Sequence, residues 1–249
     1  MTQEIPGFGE QTLNKIAKSA LAKQLRDVEQ LEVRIKTNLN KLANGEIDSI
    51  AIEIAGLLMP HELRANELQL QIGRVTVKPL SAIRGKIRLT HPSSGVLRLV
   101  INENNLTHAI NSKILDKPLE RIQRQVEEQM AEQIEQVKCL LLADGHMAFS
   151  CKIALGEIRE AQTVTFTTIP DISEDRKGVT LQHLQDLETK EPHSELVAAL
   201  FAWVGEILSL SAFERQGTSI LIQQLDVTAG QLMLQADIHI EQFPSSSAE

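Results

Sequence analysis

The sequence of 249 residues is poor in aromatic side chains, which make up 3% of it, with no Tyr and a single Trp, Trp203. Proteins that bind single-stranded nucleic acids stack the bases on aromatic rings and present a basic surface to the phosphates. The formal net charge of this chain is -8, which is the opposite of such a surface. The composition therefore excludes nucleic acid from the expected partners.

Long hydrophobic runs are also missing. No window approaches the roughly 20 apolar residues of a membrane-spanning helix. The first residues, MTQEIPGFGEQ, lack the basic and apolar segments of a secretion signal. We therefore expect a cytoplasmic protein, which leaves room for peripheral binding to an inner membrane.

Cysteine is nearly absent, and the two thiols are predicted to stay apart. The Asp144-Gly145 pair lies between two strand-like segments and predicts a two-residue hairpin turn. That turn places Cys139 opposite Ser150 and points Cys151 to the other face of the sheet, a poor geometry for a disulfide. We expect two free, reduced cysteines, as is usual in the cytoplasm.

Catalytic signatures are missing as well. The chain has no GxSxG elbow, no HExxH, no phosphate-binding loop and no dinucleotide glycine motif. Its seven histidines are scattered, without a second ligand at metal-binding spacing. The sequence predicts a protein that is not an enzyme, with no catalytic residues, no metal and no cofactor.

Strict alternation of apolar and polar residues is the feature that stands out, above all between Gly45 and Lys78. Such alternation is typical of antiparallel strands with one buried face. One face of the two strands carries Ile50, Ile52 and Ile54, then Leu68, Leu70 and Ile72; near the C-terminus the pattern returns with Leu232, Leu234, Ala236, Ile238 and Ile240. Gly73-Arg74 interrupts the alternation and predicts a β-bulge.

Helical spacing of apolar residues marks four further segments. We predict helices over 10–25, 104–112, 118–136 and 195–210, with a polar link over 38–45 and strands in most of the rest. The predicted fold class is α+β, a long curved antiparallel sheet wrapped on helices. The predicted boundaries are a flexible N-terminus over 1–8, a single elongated domain over 9–243, formed of two similar halves (9–115 and 116–243), and a disordered tail over 244–249.

A basic segment follows the first strand pair. From Leu68 to Asn102 the chain has no Asp or Glu. The segment carries six basic side chains: Arg74, Lys78, Arg84, Lys86, Arg88 and Arg98. A cluster of this kind suits anionic headgroups or a membrane surface, although the same residues could simply solvate the outer face of a sheet.

These segments together resemble a known family. The runs LANGEIDSIAIEIAGLLM, LRANELQLQIGRVTVKPLSAIRGKIRLT and LIQQLDVTAGQLMLQADIHIEQF are similar to the LmeA-like phospholipid-binding family, in particular to its cyanobacterial branch. The resemblance implies an elongated tubular lipid-binding (TULIP-like) architecture and binding of phospholipid or another amphipathic lipid. It supplies no catalytic residue to carry over.

The leading hypothesis is therefore a non-enzymatic protein that binds or carries lipid at the cytoplasmic side of membranes. The basic side chains would contact headgroups, and the acyl chains would lie on Ile50, Ile52, Ile54, Leu68, Leu70, Leu200, Phe201, Trp203 and Val204. One alternative is a scaffold whose apolar groove binds a partner helix or subunit. Another is an esterase or transferase acting on lipid, which would need a polar cluster inside the cavity. The sequence does not specify an oligomeric state.

Overall fold

The computed structural model describes residues 8–77, 89–115, 133–155, 160–186, 194–214 and 217–241. Its helices are α1 (Phe8–Ala22), α2 (Leu39–Ala43), α3 (Glu103–Leu115) and α4 (Ser194–Ile207). Its strands are β1 (Gln30–Lys36), β2 (Glu46–Ile47), β3 (Ser49–Leu58), β4 (Arg64–Ile72), β5 (Val75–Thr76), β6 (Ser93–Asn102), β7 (Gln133–Leu141), β8 (Met147–Leu155), β9 (Glu160–Ile172), β10 (Val179–Asp186), β11 (Thr218–Thr228) and β12 (Gln231–Ile240). The described chain is thus mostly antiparallel sheet with few helices.

A six-stranded antiparallel sheet, in the order β1-β3-β4-β6-β12-β11, contains both strands of the opening pattern. The predicted alternation of β3, β4 and β12 is confirmed, because their apolar residues meet in register across the ladder. One row runs through Ile52 and Leu70, continues through Leu97 and ends at Ala236 and Ile222. Rows of this kind give the sheet one continuous apolar face, which forms part of the hydrophobic core.

The second sheet is a four-stranded meander in the order β10-β9-β8-β7. Helix α4 packs on β10, and a Cβ atom at Gly205 of this helix would lie 2.9 Å from the carbonyl oxygen of Val179. Glycine is required there because a larger residue would push the helix off the strand. The two sheets are joined at the hairpin turn before β10, where the carbonyl oxygen of Arg176 accepts a hydrogen bond from the amide of Ile222 of β11 at 2.7 Å. The Arg176 guanidinium donates a second bond to the Ile222 carbonyl oxygen at 2.9 Å.

Side chains of two helices form hydrogen bonds to backbone groups at the outer edges of the sheets, along β1 and β7. In α1, Asn14 accepts a hydrogen bond from the amide of Ile35 at 2.8 Å, and Glu10 accepts one from the amide of Thr37 at 3.0 Å. In α3, three side chains spaced four residues apart bond the backbone of alternate residues of β7: Glu103 to Leu141, Thr107 to Cys139 and Asn111 to Val137. These bonds occupy backbone groups of β7 and of the C-terminal end of β1 that another strand would otherwise pair with.

The predicted hairpin around Asp144-Gly145 is present, but its predicted register is wrong by one residue. The loop closes through a bond from the amide of Leu142 to the carbonyl of His146, so Cys139 pairs with Phe149 instead of Ser150. Cys151 pairs with Val137, and both thiols lie buried on the same face of the sheet. The cysteines are free, as predicted.

Three other local predictions differ from the structure. Gly73-Arg74 is a break rather than a bulge, since the chain leaves the large sheet there and β5 pairs with β2 in a separate ladder. The predicted link over 38–45 contains α2, whose first turn is capped by the Asn38 side chain. Of the predicted helix over 118–136, residues 133–136 belong to β7, and the rest lies outside the described residues.

The remaining helix predictions are confirmed with shifted ends. Helix α1 begins and ends earlier than the predicted 10–25, α3 extends the predicted 104–112 at both ends, and α4 ends three residues before Leu210. The flexible N-terminus over 1–8 and the tail over 244–249 fall almost wholly outside the described residues, and the division into two similar halves stays a prediction.

Candidate functional site

The apolar face of the six-stranded sheet is unevenly covered. Ile54 and Leu68, which pair across β3 and β4, are buried. Ile50, Ile52 and Leu70 lie on the same face and stay only half-buried. The structure therefore brings the five predicted acyl-contacting residues of the sheet together, and leaves three of them with accessible apolar surface.

The predicted acyl-contacting residues of α4 lie elsewhere, against the second sheet. Leu200, Trp203 and Val204 are buried in the core. Phe201 is half-buried and meets Phe166 of β9 edge to face, with 5.8 Å between the ring centroids. Both groups of residues belong to one hydrophobic cluster, but Leu200, Trp203 and Val204 have almost no surface left for a ligand in this conformation.

The predicted basic cluster is represented by two residues, because Lys78, Arg84, Lys86 and Arg88 lie outside the described residues. Arg74 is exposed, immediately after the end of β4. Arg98 is engaged within the protein, where its guanidinium donates to Glu67 at 2.9 Å and to the sulfur of Met233 at 3.1 Å. Of the two, Arg74 is the one whose charge is available to a headgroup.

A groove of about 810 Å³ crosses one end of the six-stranded sheet. Small residues contribute to its lining, and Val96 and Leu221 add exposed apolar surface, with 41% and 39% of each residue accessible. The groove residues from β1 and β3 are Lys36, Ser49, Ile50 and Ala51; those from β4, the turn after it and β6 are Gln71, Ile72, Gly73, Ser94, Gly95 and Val96; those from β11 and β12 are Ser219, Leu221, Asp237, Ile238 and His239. Its volume lies within the range of small-molecule sites.

A smaller hollow of about 350 Å³ lies between the β3–β4 reversal and the end of α4. The imidazole of His61 is 3.7 Å from the Glu206 carboxylate across it. His61 and Glu62 both have positive φ angles, 60° and 57°, which are unusual for residues with side chains. The reversal is thus held in a strained shape beside α4.

Two kinds of site are not found among the described residues: a metal-binding cluster and a membrane-spanning helix. Among them, no three His, Cys, Asp or Glu side chains come close enough together to hold a metal ion. In the same part of the chain, no helix combines the length and the apolar character needed to cross a bilayer.

Sequence reasoning missed the polar contacts that join distant segments. The bond between Arg98 and Glu67 spans 31 positions of sequence, so a count of neighbouring charges does not reveal it. The bonds from α3 to β7 could have been anticipated from the sequence. Their polar side chains recur every four residues beside the apolar stripe of the helix, at Glu103, Thr107 and Asn111.

Comparison with known proteins identifies a family. No curated protein and no solved structure matches the chain. The sequence model of one family, described as LmeA-like phospholipid-binding, matches residues 7–237. This range contains nearly all of both sheets and the helices that cover their edges. On that basis, the chain belongs to the LmeA-like phospholipid-binding family.

Proposed function

We propose that the protein binds phospholipid without catalysing a reaction and carries or holds it at the cytoplasmic side of a membrane. The observation that supports this most is the half-open apolar face at Ile50, Ile52 and Leu70, in a chain whose family binds phospholipid. Burial of each methylene group is worth about 0.8 kcal/mol. A short stretch of acyl chain on these residues would therefore contribute several kcal/mol to binding.

The position of the bound phospholipid follows from the apolar face at Ile50, Ile52 and Leu70. An acyl chain would lie across β3 and β4, and the phosphate would reach the exposed Arg74 just beyond the end of β4. In this proposal the sheet and its helices enclose the lipid in a TULIP-like wrap. The buried residues Leu200, Trp203 and Val204 would contact a chain only if α4 moved.

Lipid extraction tests the proposal directly. The protein is purified without detergent, extracted with organic solvent and analysed for phospholipid by mass spectrometry, then reloaded with a fluorescent phosphatidylcholine. Ile52→Gln should reduce loading about 10-fold, because it places an amide on the acyl-contacting face. Val96→Gln is the matched control, since Val96 is exposed on the same sheet without belonging to the predicted acyl-contacting set. Absence of lipid from the extract and of loading in the wild type would remove the proposal.

A second candidate is a scaffold that binds a helix or subunit of another protein. The groove at the end of the six-stranded sheet, with Val96 and Leu221 exposed, is the observation that favours it. Under this alternative Val96→Gln would abolish recovery of a stoichiometric protein partner, whereas Ile52→Gln would leave it unchanged. The two variants thus separate the candidates.

A further inference from the structure

Helix α1 presents two chemically different faces. Its inner face consists of Leu13, Asn14, Ala17 and Leu21, which are half-buried; the three apolar ones pack against the core and Asn14 bonds the edge of β1. These positions follow the spacing of one helical face. The apolar side chains of this inner face therefore pack against the protein's own core and are not available to a partner.

The outer face of α1 combines positive charge with an exposed apolar side chain. Lys15 and Lys18 lie on it, with Lys23 immediately after the helix, and all three are exposed. Ile16 has 62% of its surface accessible, more than any other large hydrophobic residue among those described. An isoleucine exposed to this extent gains free energy when apolar material covers it.

This basic surface is not neutralised from within the described part of the chain. From Gln11 to Arg26 the sequence has no Asp or Glu, and in the described structure Lys15, Lys18 and Lys23 take part in no ion pair. The nearest acids that follow are already engaged, since Arg64 contacts Asp27 at 2.5 Å and Glu29 at 3.6 Å. The helix thus carries its positive charge on a protein whose net charge is -8.

We propose that the outer face of α1 is a docking surface for an anionic phospholipid membrane, with Ile16 entering the interface and Lys15, Lys18 and Lys23 facing the phosphates. This inference rests on the proposed function and names how the protein meets the bilayer that supplies its lipid. Ser19 and Ala20, which are small and exposed beside Ile16, allow the helix to approach the headgroups closely. A single apolar side chain with a few lysines gives reversible, salt-sensitive binding.

Vesicle sedimentation tests the charge requirement. The full-length protein is mixed with vesicles of phosphatidylcholine alone or with one third phosphatidylglycerol. We expect binding to the anionic vesicles, weakened by added salt. The double variant Lys15→Gln/Lys18→Gln should bind them about 30-fold more weakly, since each basic residue near an anionic surface contributes several-fold.

Lys138→Gln/Lys152→Gln is the matched control, because it removes the same charge from exposed positions on β7 and β8. This variant should bind the vesicles within about twofold of the wild type, since distant exposed charges are screened. Equal loss of binding in both double variants would show a general charge effect and would overturn the docking proposal.

A fluorescent label tests the insertion of Ile16. Ile16→Cys carries an environment-sensitive dye, and Leu221→Cys on the opposite edge strand of the sheet carries the same dye as control. Native Cys139 and Cys151 are buried, which directs labelling to the introduced thiol. The emission at position 16 should shift to the blue on anionic vesicles, and that at position 221 should not.

The outcomes separate this inference from the proposed function. A wild type that is loaded with lipid in solution, yet neither sediments with anionic vesicles nor shifts the label at position 16, overturns the docking surface alone. A wild type that also takes up no lipid overturns both proposals. Preserved lipid loading in Lys15→Gln/Lys18→Gln, with lost sedimentation, is the expected result.

Discussion

Asn111 of α3 holds both backbone groups of Val137 on the edge strand β7. Its amide nitrogen donates to the Val137 carbonyl at 2.7 Å, and its amide oxygen accepts from the Val137 amide at 2.9 Å. One side chain thereby takes the place that a neighbouring strand would otherwise occupy. Helix α1 makes the related contact at the edge of β1 through Asn14.

Asn111→Ala should lower the free energy of unfolding by about 2–3 kcal/mol, because it leaves two backbone groups without their partner. The measurement is urea denaturation followed by circular dichroism, with hydrogen exchange at the Val137 amide as a local check. Asn104→Ala changes an exposed residue of the same helix and should cost less than about 0.5 kcal/mol. Equal effects of the two variants would contradict the role assigned to Asn111.

Gly95→Ala should destabilise the large sheet at the junction of β4 and β6. A Cβ atom at this position would clash with the carbonyl oxygen of Gln71 and lie 3.1 Å from the Ile72 Cα atom. Since both obstacles are backbone, we expect a loss of about 1–3 kcal/mol in thermal or urea unfolding. Ser94→Ala, one position earlier and exposed, should be nearly neutral; a neutral Gly95→Ala would contradict the close approach.

The thiols should be unreactive in the folded protein. Burial raises the pKa of Cys151 to about 12 and raises the pKa of Cys139 still further above its usual range. The reactive thiolate is therefore scarce at neutral pH. We expect the thiol reagent DTNB to modify both residues rapidly in denaturant and neither in native buffer. Rapid modification of either cysteine in the native protein would show that this face of the second sheet opens.

Glu214 should make the protein sensitive to acid. A hydrogen bond from Lys177 at 2.7 Å lowers the pKa of the Glu214 carboxyl below its usual range, and a bond from the Ile220 amide acts in the same direction. A lowered folded-state pKa contributes stability above the unfolded-state value, and this is lost as the pH falls through the folded-state value.

The check is the free energy of unfolding measured between pH 7 and pH 3. Glu214→Gln should be less stable than the wild type at pH 7, and the difference should shrink as the pH falls. Glu32→Gln, at an exposed position of β1, should follow the wild-type curve. A constant difference between Glu214→Gln and the wild type across this range would exclude the linkage.

The strands of the large sheet were predictable because each has one buried face. Periodicity of two residues recovers Ile50 to Ile54 and Leu232 to Ile240 without knowledge of their partners. Register was harder, since it depends on where a turn closes. The two-residue turn assumed at Asp144-Gly145 gave Cys139 the wrong partner, because the actual loop closes between Leu142 and His146.

The sequence predicted which apolar residues of the candidate site share a face. It did not predict which charged side chains pair with one another. Apolar residues act through the face on which they lie, which the alternation reveals. A charge acts through its nearest partner, and Glu67 reaches Arg98 only after β4 and β6 have paired. The two faces of α1 likewise separate only when the helix packs on β1, since Ile16 fits the apolar spacing as well as Leu13 does.

The order of strands in the large sheet also has a consequence for synthesis. Strand β6 pairs with β12, which ends at Ile240. During synthesis, about 130 further residues must therefore be added after β6 before β12 is available to pair with it. Pairings this distant in sequence form slowly, and an open strand edge invites aggregation meanwhile. The edge of β6 is therefore exposed to aggregation for much of the time that synthesis takes.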